Sequence, residues 1–317
     1  MRKYNLHPVI LLVVLGTLLA LILFGVHRYR YRLVRQPVDL VRFLSLPLPL
    51  QQGDASTFYI DVGALRRSGY LDLLATAKST SEADYHQFVE ATNFDYTRDI
   101  DAIAGSVSGD ESLNLFVQGR FDWSRLQDYA RRHGGSCRAD QCSLPATKPG
   151  KWIGFTELQP DVMILVVTAN KDAAIGAATA VLAQTQPAPP STISFDPVWF
   201  CPARSLLQSP TAFPQSLRML AIALQSADSI TVSLSPSTQA AFDLKLKASF
   251  ANAAIADTSK NQLEIDTKML QLELAREHAR ASAADLTGLF TAGTFSQQGK
   301  MLFGTWPVQK EFLQTLR

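Results

Sequence analysis

The sequence predicts an α+β fold, a mainly antiparallel sheet with helices, set behind an N-terminal transmembrane helix. Three observations carry that expectation. Residues 8–26, PVILLVVLGTLLALILFGV, run for 19 positions without a charge. After residue 56, short β-rich stretches alternate with stretches of helical period. Several strands also follow one another through polar turns rather than through helices, the pattern of hairpins.

A helix of 19 residues spans about 28 Å, close to the roughly 30 Å of a bilayer core. A cleaved signal peptide is the rival, because Arg2 and Lys3 supply a positive start. The run is longer than the usual apolar region of a signal, roughly 7 to 15 residues. The stretch HRYRYRLVRQ that follows also offers no small-x-small cleavage site. No cysteine stands near its end, which disfavours a lipoprotein. Residues 1–35 therefore read as an anchor with a basic flank, and membrane lipid is the first expected partner. Alternating Arg28, Tyr29, Arg30, Tyr31 and Arg32 suit the headgroup layer.

Two signals disagree on which way the anchor points. Arg28, Arg30, Arg32 and Arg35 outweigh Arg2 and Lys3, which places the domain in the cytoplasm by the positive-inside rule. The cysteines argue for the other side. Cys137 and Cys142 bracket RADQ, a turn able to bring two strand-borne thiols within the roughly 4.4–6.8 Å Cα separation of a disulfide. Disulfides persist outside the cytosol. Two free thiols remain an alternative, as does half a zinc site beside His133. Cys201, within PVWFCPA, reads as a buried thiol. The expected location is the cytoplasmic membrane, single-pass, with the domain on the periplasmic or extracytoplasmic side.

Residues 36–56, with Pro37, Pro47 and Pro49, form a tether whose Val38, Leu40, Val41, Phe43 and Leu44 are able to pack on the domain or on the bilayer. The rest divides at the Pro- and Ser-rich residues 186–192 into a first α+β unit, 57–185, and a second, 193–317. In the first, TFYIDVG is a strand, ALRRSGYLDLLATA and EADYHQFVEATNF are helices, and DAIAGSVS and SLNLFVQGRF form a hairpin. WSRLQDYARRHGG is a helix capped by Asp122 and ended by Gly134 and Gly135. The cysteine hairpin, the strands KWIGFTEL and VMILVVTA, and a helix capped by Asn170 complete it. In the second, PQSLRMLAIALQSA is a helix, DSITVSLS and AFDLKLKASF are paired strands, and residues 252–281 form a long helix with Leu263, Thr267, Leu270 and Leu274 on one face. ADLTGLFTAG is a short helix, GKMLFGTWPV a strand and QKEFLQTLR a closing helix. Asp101, Ile103, Ser106 and Ser108 echo Asp228, Ile230, Ser233 and Ser235, which raises the hypothesis of a duplicated ferredoxin-like unit.

Charge excludes one function class. The net charge is +2, and taking away the six basic residues around the apolar run leaves −4, so nucleic acid is not an expected partner. Phosphate-binding G-x-x-x-x-G-K-[ST] and G-x-G-x-x-G are absent, as is the hydrolase elbow G-x-S-x-G. His86, His133 and His278 belong to no His-x-x-x-His pair and read as surface or helix-end residues. Asp95, Asp99 and Asp101 lack the glycine and terminal glutamate of a calcium loop, and Arg98 stands among them, so turn and cap roles fit better. In GRFDW, Arg120 and Trp123 sit at a strand-to-helix junction that needs a cap and an aromatic plug. No catalytic, cofactor-binding or metal residue is assigned.

GRFDWSRLQDYARRHGGSC, RADQC and FGTWPVQKEFL together resemble an uncharacterised family of bacterial membrane-anchored or lipoprotein-like envelope proteins. The resemblance implies an extracytoplasmic setting and a Cys137–Cys142 bridge, and it carries no activity. The expected function is a non-catalytic binding, scaffolding or assembly role at the envelope with a protein partner. Two alternatives stand: a membrane-attached hydrolase, needing a cleft that joins Ser or Asp to a histidine, and a carrier of a lipid or hydrophobic ligand, needing an apolar cavity between sheet and helices.

Overall fold

The computed structural model describes residues 55–71, 82–109, 112–172, 196–209, 217–237, 240–277 and 281–315, with Leu40, Ala174, Thr211 and Phe213. Residues Asp39–Arg317 form one compact unit. Its strands in chain order are β1 (Ala55–Ile60), β2 (Ile100–Ser108), β3 (Leu113–Gly119), β4 (Ser136–Arg138), β5 (Gln141–Pro145), β6 (Trp152–Gln159), β7 (Val162–Thr168), β8 (Val198–Cys201), β9 (Ser229–Pro236), β10 (Phe242–Ser249), β11 (Thr294–Gln298) and β12 (Met301–Val308). The described helices are α1 (Val62–Arg67), α2 (Glu82–Thr92), α3 (Tyr96–Asp99), α4 (Trp123–Arg132), α5 (Arg204–Leu207), α6 (Arg218–Leu224), α7 (Ala253–Arg276), α8 (Leu286–Thr291) and α9 (Lys310–Thr315).

All twelve described strands join one sheet, in the order β11-β12-β10-β9-β8-β1-β2-β3-β7-β6-β5-β4. Every pairing is antiparallel. The expected α+β class with a mainly antiparallel sheet is therefore present. Within each half three consecutive strands pair in turn, after which the chain crosses outward and comes back, so that β7 pairs β3 and β12 pairs β10; this is not the order of a ferredoxin-like unit. The chain leaves β1 through helices yet returns to hydrogen-bond β1 directly through β2, so no later strand enters between them. Two strands carry no sequence expectation: β8, four residues long, and β11, whose TFSQQ is polar and lies at a sheet edge.

Strand composition reports which faces are covered. β12 and β10 alternate: Leu302, Gly304, Trp306 and Val308 are buried on one face of β12, and Lys245 and Lys247 of β10 are exposed on the other. β7 is apolar almost throughout and β3 carries Asn114 and Gln118 among apolar residues, and both strands are covered on both faces. Following the register from Ile103 through Ile60, Val198, Leu234 and Leu244 to Trp306 traces one face across the sheet. All described helices that contribute to the two apolar clusters pack on this face. Leu126 and Ala130 of α4 join Val117, Phe155 and Met163 in one cluster. Ala223 and Leu224 of α6, Ala256 and Leu263 of α7, Leu289 of α8 and Leu313 of α9 join Phe242, Leu246 and Trp306 in the other. On the opposite face, Gly154 lies so near Ala174 that a Cβ there would come within 2.0 Å of its carbonyl oxygen.

Helix starts follow local chemistry. Asp61, Asp95, Asp122, Asn252 and Asp285 each accept a backbone N–H in the first turn of the helix they precede. Gly134, with φ +77°, turns the chain out of α4 as its sequence position predicts. Leu40, from the tether, is fully buried. Among the described residues no helix is long and apolar enough to cross a membrane. The apolar run 8–26 and His278 lie outside the described residues.

Cys137 and Cys142 are direct cross-strand partners in the β4–β5 hairpin and form a disulfide, with Cα atoms 4.0 Å apart. Cys142 is buried in the first apolar cluster, so the bridge fixes the outermost hairpin of that half to its core. Replacing both cysteines by serine is expected to cost about 2 kcal/mol, the loop-closure value for so short a loop. Urea unfolding of the full chain checks this: the midpoint falls while the denaturant slope is kept.

Candidate functional site

The carboxylates that the sequence gathers in NFDYTRDID are committed to arginines and turns. Asp99 is buried and pairs with Arg98 at 2.9 Å and Arg120 at 3.1 Å, and it accepts the backbone N–H of Asp95 at 2.9 Å. Asp101 faces Arg66 at 3.5 Å. Arg66 also donates to the carbonyls of Thr97, at 2.9 Å, and Ile100, while Arg120 donates to that of Arg98. Three arginines thus bind α1, the start of β2 and the end of β3 into one knot, and Arg120 belongs to it. Asp95 caps α3 and accepts from Thr97 and from the Tyr85 hydroxyl at 2.8 Å. Burial and that bond to Asp95 both push the Tyr85 hydroxyl well above its ordinary range. Burial acts to raise the Asp95 carboxyl, but the hydrogen bonds from Thr97 and Tyr85 and the nearby Arg98 outweigh it and hold the group below its ordinary value.

The remaining candidates are placed in packing roles. His133 caps α4, stacks on Tyr129 at 3.9 Å and sets Nδ1 2.9 Å from the Tyr129 carbonyl. His86 is exposed on α2 beside Tyr85. Trp123 donates Nε1–H to the Pro160 carbonyl at 3.2 Å and packs on Phe121. Cys201 is half-buried, burial raises its pKa, and Sγ lies 3.4 Å from the Thr231 hydroxyl, so it is held as an unreactive thiol. Among the described residues no three His, Cys, Asp or Glu side chains gather as a metal site would require.

What the fold does open is an apolar groove of about 460 Å³ in the second half. The long α7 makes one wall with Leu263, Thr267 and Leu270, the face its sequence period predicts. Met219 and Leu220 of α6, Leu286 and Phe290 of α8, and Phe295 and Trp306 of β11 and β12 supply the rest. α7 is tied at both ends. Gln297 donates to the Ala253 carbonyl and Gln271 to the Thr291 carbonyl, each at 2.8 Å. Phe295 and Trp306 meet edge to face at 5.4 Å and form the floor. Gly293 leaves room for the indole, since a Cβ there would fall 2.5 Å from Trp306 Nε1. The rim is apolar and wet: Met219 and Met269 are 53% and 60% exposed. A separate depression of about 510 Å³, beside Ser68–Tyr70 and Gln309–Glu311, is polar and shallow in chemistry, with Lys310 and Glu311 as its charged groups.

The sequence shows one wall of the groove but not its closure. Trp306, Phe295 and Met219 come from separate elements, and nothing in their local pattern brings them opposite Leu263. Isolated large apolar residues on the solvent side of α6 and α7, Ile222, Ile265 and Leu272, are the signal from which a surface could have been read. No protein family, no curated protein and no solved structure matches the chain.

The Asp95 cap gives the first half an acid-sensitive contribution. A carboxyl held below its unfolded value stabilises the fold above that value and loses its contribution as pH falls through the folded pKa. Asp95→Asn is expected to flatten the loss of stability below about pH 4, read from urea midpoints across pH.

Proposed function

We propose that this chain is a membrane-tethered, non-catalytic binding protein of the cell envelope, and that the α6–α7–α8 groove is its working surface. The groove carries the reading: a concave apolar site of about 460 Å³ with a wet apolar rim falls in the size class of ligand and peptide sites. Among the described residues, Asp95, Asp99, Asp101, Arg120, Trp123 and His133, which the sequence singles out, are engaged in caps, ion pairs and packing instead. The Cys137–Cys142 bridge supports an oxidising compartment, and the run 8–26 supports attachment to the cytoplasmic membrane, as does the resemblance to bacterial envelope proteins.

The proposal extends to the origin of the domain. Each half is a strand, a helical connection, a hairpin, a helix and a second hairpin, with strand orders β1-β2-β3-β7-β6 and β8-β9-β10-β12-β11 running outward from the middle. The echo of Asp101–Ser108 in Asp228–Ser235 falls on β2 and β9, which hold equivalent places in the two orders. A duplicated unit, into whose first copy the disulfide hairpin β4–β5 is inserted, accounts for both. An apolar-ligand carrier is the second reading, favoured by the same groove.

Two measurements test this. Neutral N-phenylnaphthylamine is expected to bind the full chain, and the double change Met219→Asn and Met269→Asn to weaken it at least about tenfold with little effect on melting, since two rim thioethers are lost. Unchanged dye binding in the variant removes the groove from the proposal. For location, a membrane-impermeant maleimide applied to whole cells carrying Cys201→Ser is expected to label the half-buried Cys137 only after mild reduction. A Cys137 thiol that stays shielded until lysis places the domain in the cytoplasm instead.

A further inference from the structure

We infer that the occupant of this groove is a cationic amphipathic helix of a partner protein; the inference rests on the groove being the binding surface, as argued above. The charge pattern of α7 carries it. At about 3.6 residues per turn, Asp266 and Glu273 stand on one line two turns apart. Leu263 and Leu270 flank that line on one side, and Ile265, Met269 and Leu272 on the other. Both carboxylates line the groove, and among the described residues neither lysine nor arginine does. Acid is therefore set within an apolar surface rather than at its border.

Such a surface selects against the commonest apolar ligands. A fatty acid or an anionic phospholipid would bring its negative head to Asp266 and Glu273, where like charges in a partly dry groove repel. A helix with leucine-like side chains on one face and a Lys or Arg among them meets both features at once. The present charge partners leave room for it. Among the described residues Asp266 accepts a neutral hydrogen bond, from Gln262 Nε2 at 2.8 Å, and Glu273 holds Arg276 at 3.3 Å in a highly exposed pair of little strength. From Leu263 to Glu273 the wall is about 15 Å long, close to three helical turns of the partner. Met219 and Met269 at the mouth are flexible, polarisable side chains that adapt to an incoming apolar face.

The test uses the full chain in phosphatidylcholine nanodiscs, with empty nanodiscs as background. Its probe is a fluorescent Leu/Lys peptide of about eighteen residues, leucines spaced for one helical face, alongside a Leu/Glu peptide of the same pattern. The Leu/Lys peptide is expected to bind at least about tenfold more tightly than Leu/Glu, with the difference shrinking at high salt. The double change Asp266→Asn and Glu273→Gln is expected to weaken Leu/Lys binding about fivefold, the sum of two exposed charge contacts, without altering the affinity for N-phenylnaphthylamine. Equal binding of the two peptides overturns the charge assignment while leaving the groove reading intact. Dye binding with no peptide binding makes the occupant a small apolar ligand and overturns the inference. Failure of both dye and peptides removes the groove reading itself. Self-association of the full chain that Met269→Asn disperses makes the occupant a second copy, which also overturns it.

Discussion

The pairing of β1 with β8 is the contact on which the rest of the molecule depends. Four register pairs, Thr57 with Cys201 through Ile60 with Val198, form the described strand ladder between seven strands on one side and five on the other. Short ladders are weak alone, and this one is reinforced at both ends and at its middle. The Asp61 amide donates to the Pro197 carbonyl at 2.7 Å and the Ala203 amide to Ser56 Oγ at 2.9 Å. Tyr59 stacks against Trp199, ring centres 6.1 Å apart. Leu65 and Leu207, just beyond the two strands, enter the same apolar cluster, so the helices that leave the seam also close over it.

From the seam outward the halves diverge in how they use their faces. In the first, Phe116, Ile164 and Val166 are buried on the face opposite the helices, together with Ser106 and Asn114, whose side chains lie 3.4 Å apart. In the second, the corresponding face carries exposed Lys245 and Lys247, with Lys245 3.6 Å from Asp196. The helix face diverges as well. α4 packs with α2 through an aromatic group of Phe88, Phe94, Phe121, Trp123 and Tyr129, which fills the space above β3. α7 is longer, packs on β11 and β12 beside α6 and α8, and keeps a groove where the first half keeps a core. One architecture thereby supplies a well-filled body and an open surface.

Much of this was legible in the sequence, for physical reasons that also mark where legibility ends. Hairpins, caps and the period of α7 are local, so Asp122, Asn252, Gly134 and the alternation of FDLKLKAS state them directly. The continuous apolar run of β7 foretells coverage on both faces. β8 and β11 escape because a four-residue strand and a polar edge strand have too little pattern to stand out from a loop. The strand order escapes because it is decided by which edge a returning chain meets, a contact across residues 57–60 and 198–201 that no local signal encodes. The groove escapes for the same reason, its parts being spread from Met219 to Trp306.

A sheet assembled from two halves but held as one body makes a direct demand on its dynamics. Hydrogen exchange of the full chain, followed by mass spectrometry through a urea series, reads it at the seam. In a single cooperative body the amides of β1 and β8 exchange in the same opening as those of β2, β3, β9 and β10. Early exchange of β1 and β8, with the two sets of inner strands then opening at separate urea concentrations, would contradict it and make the halves independent domains.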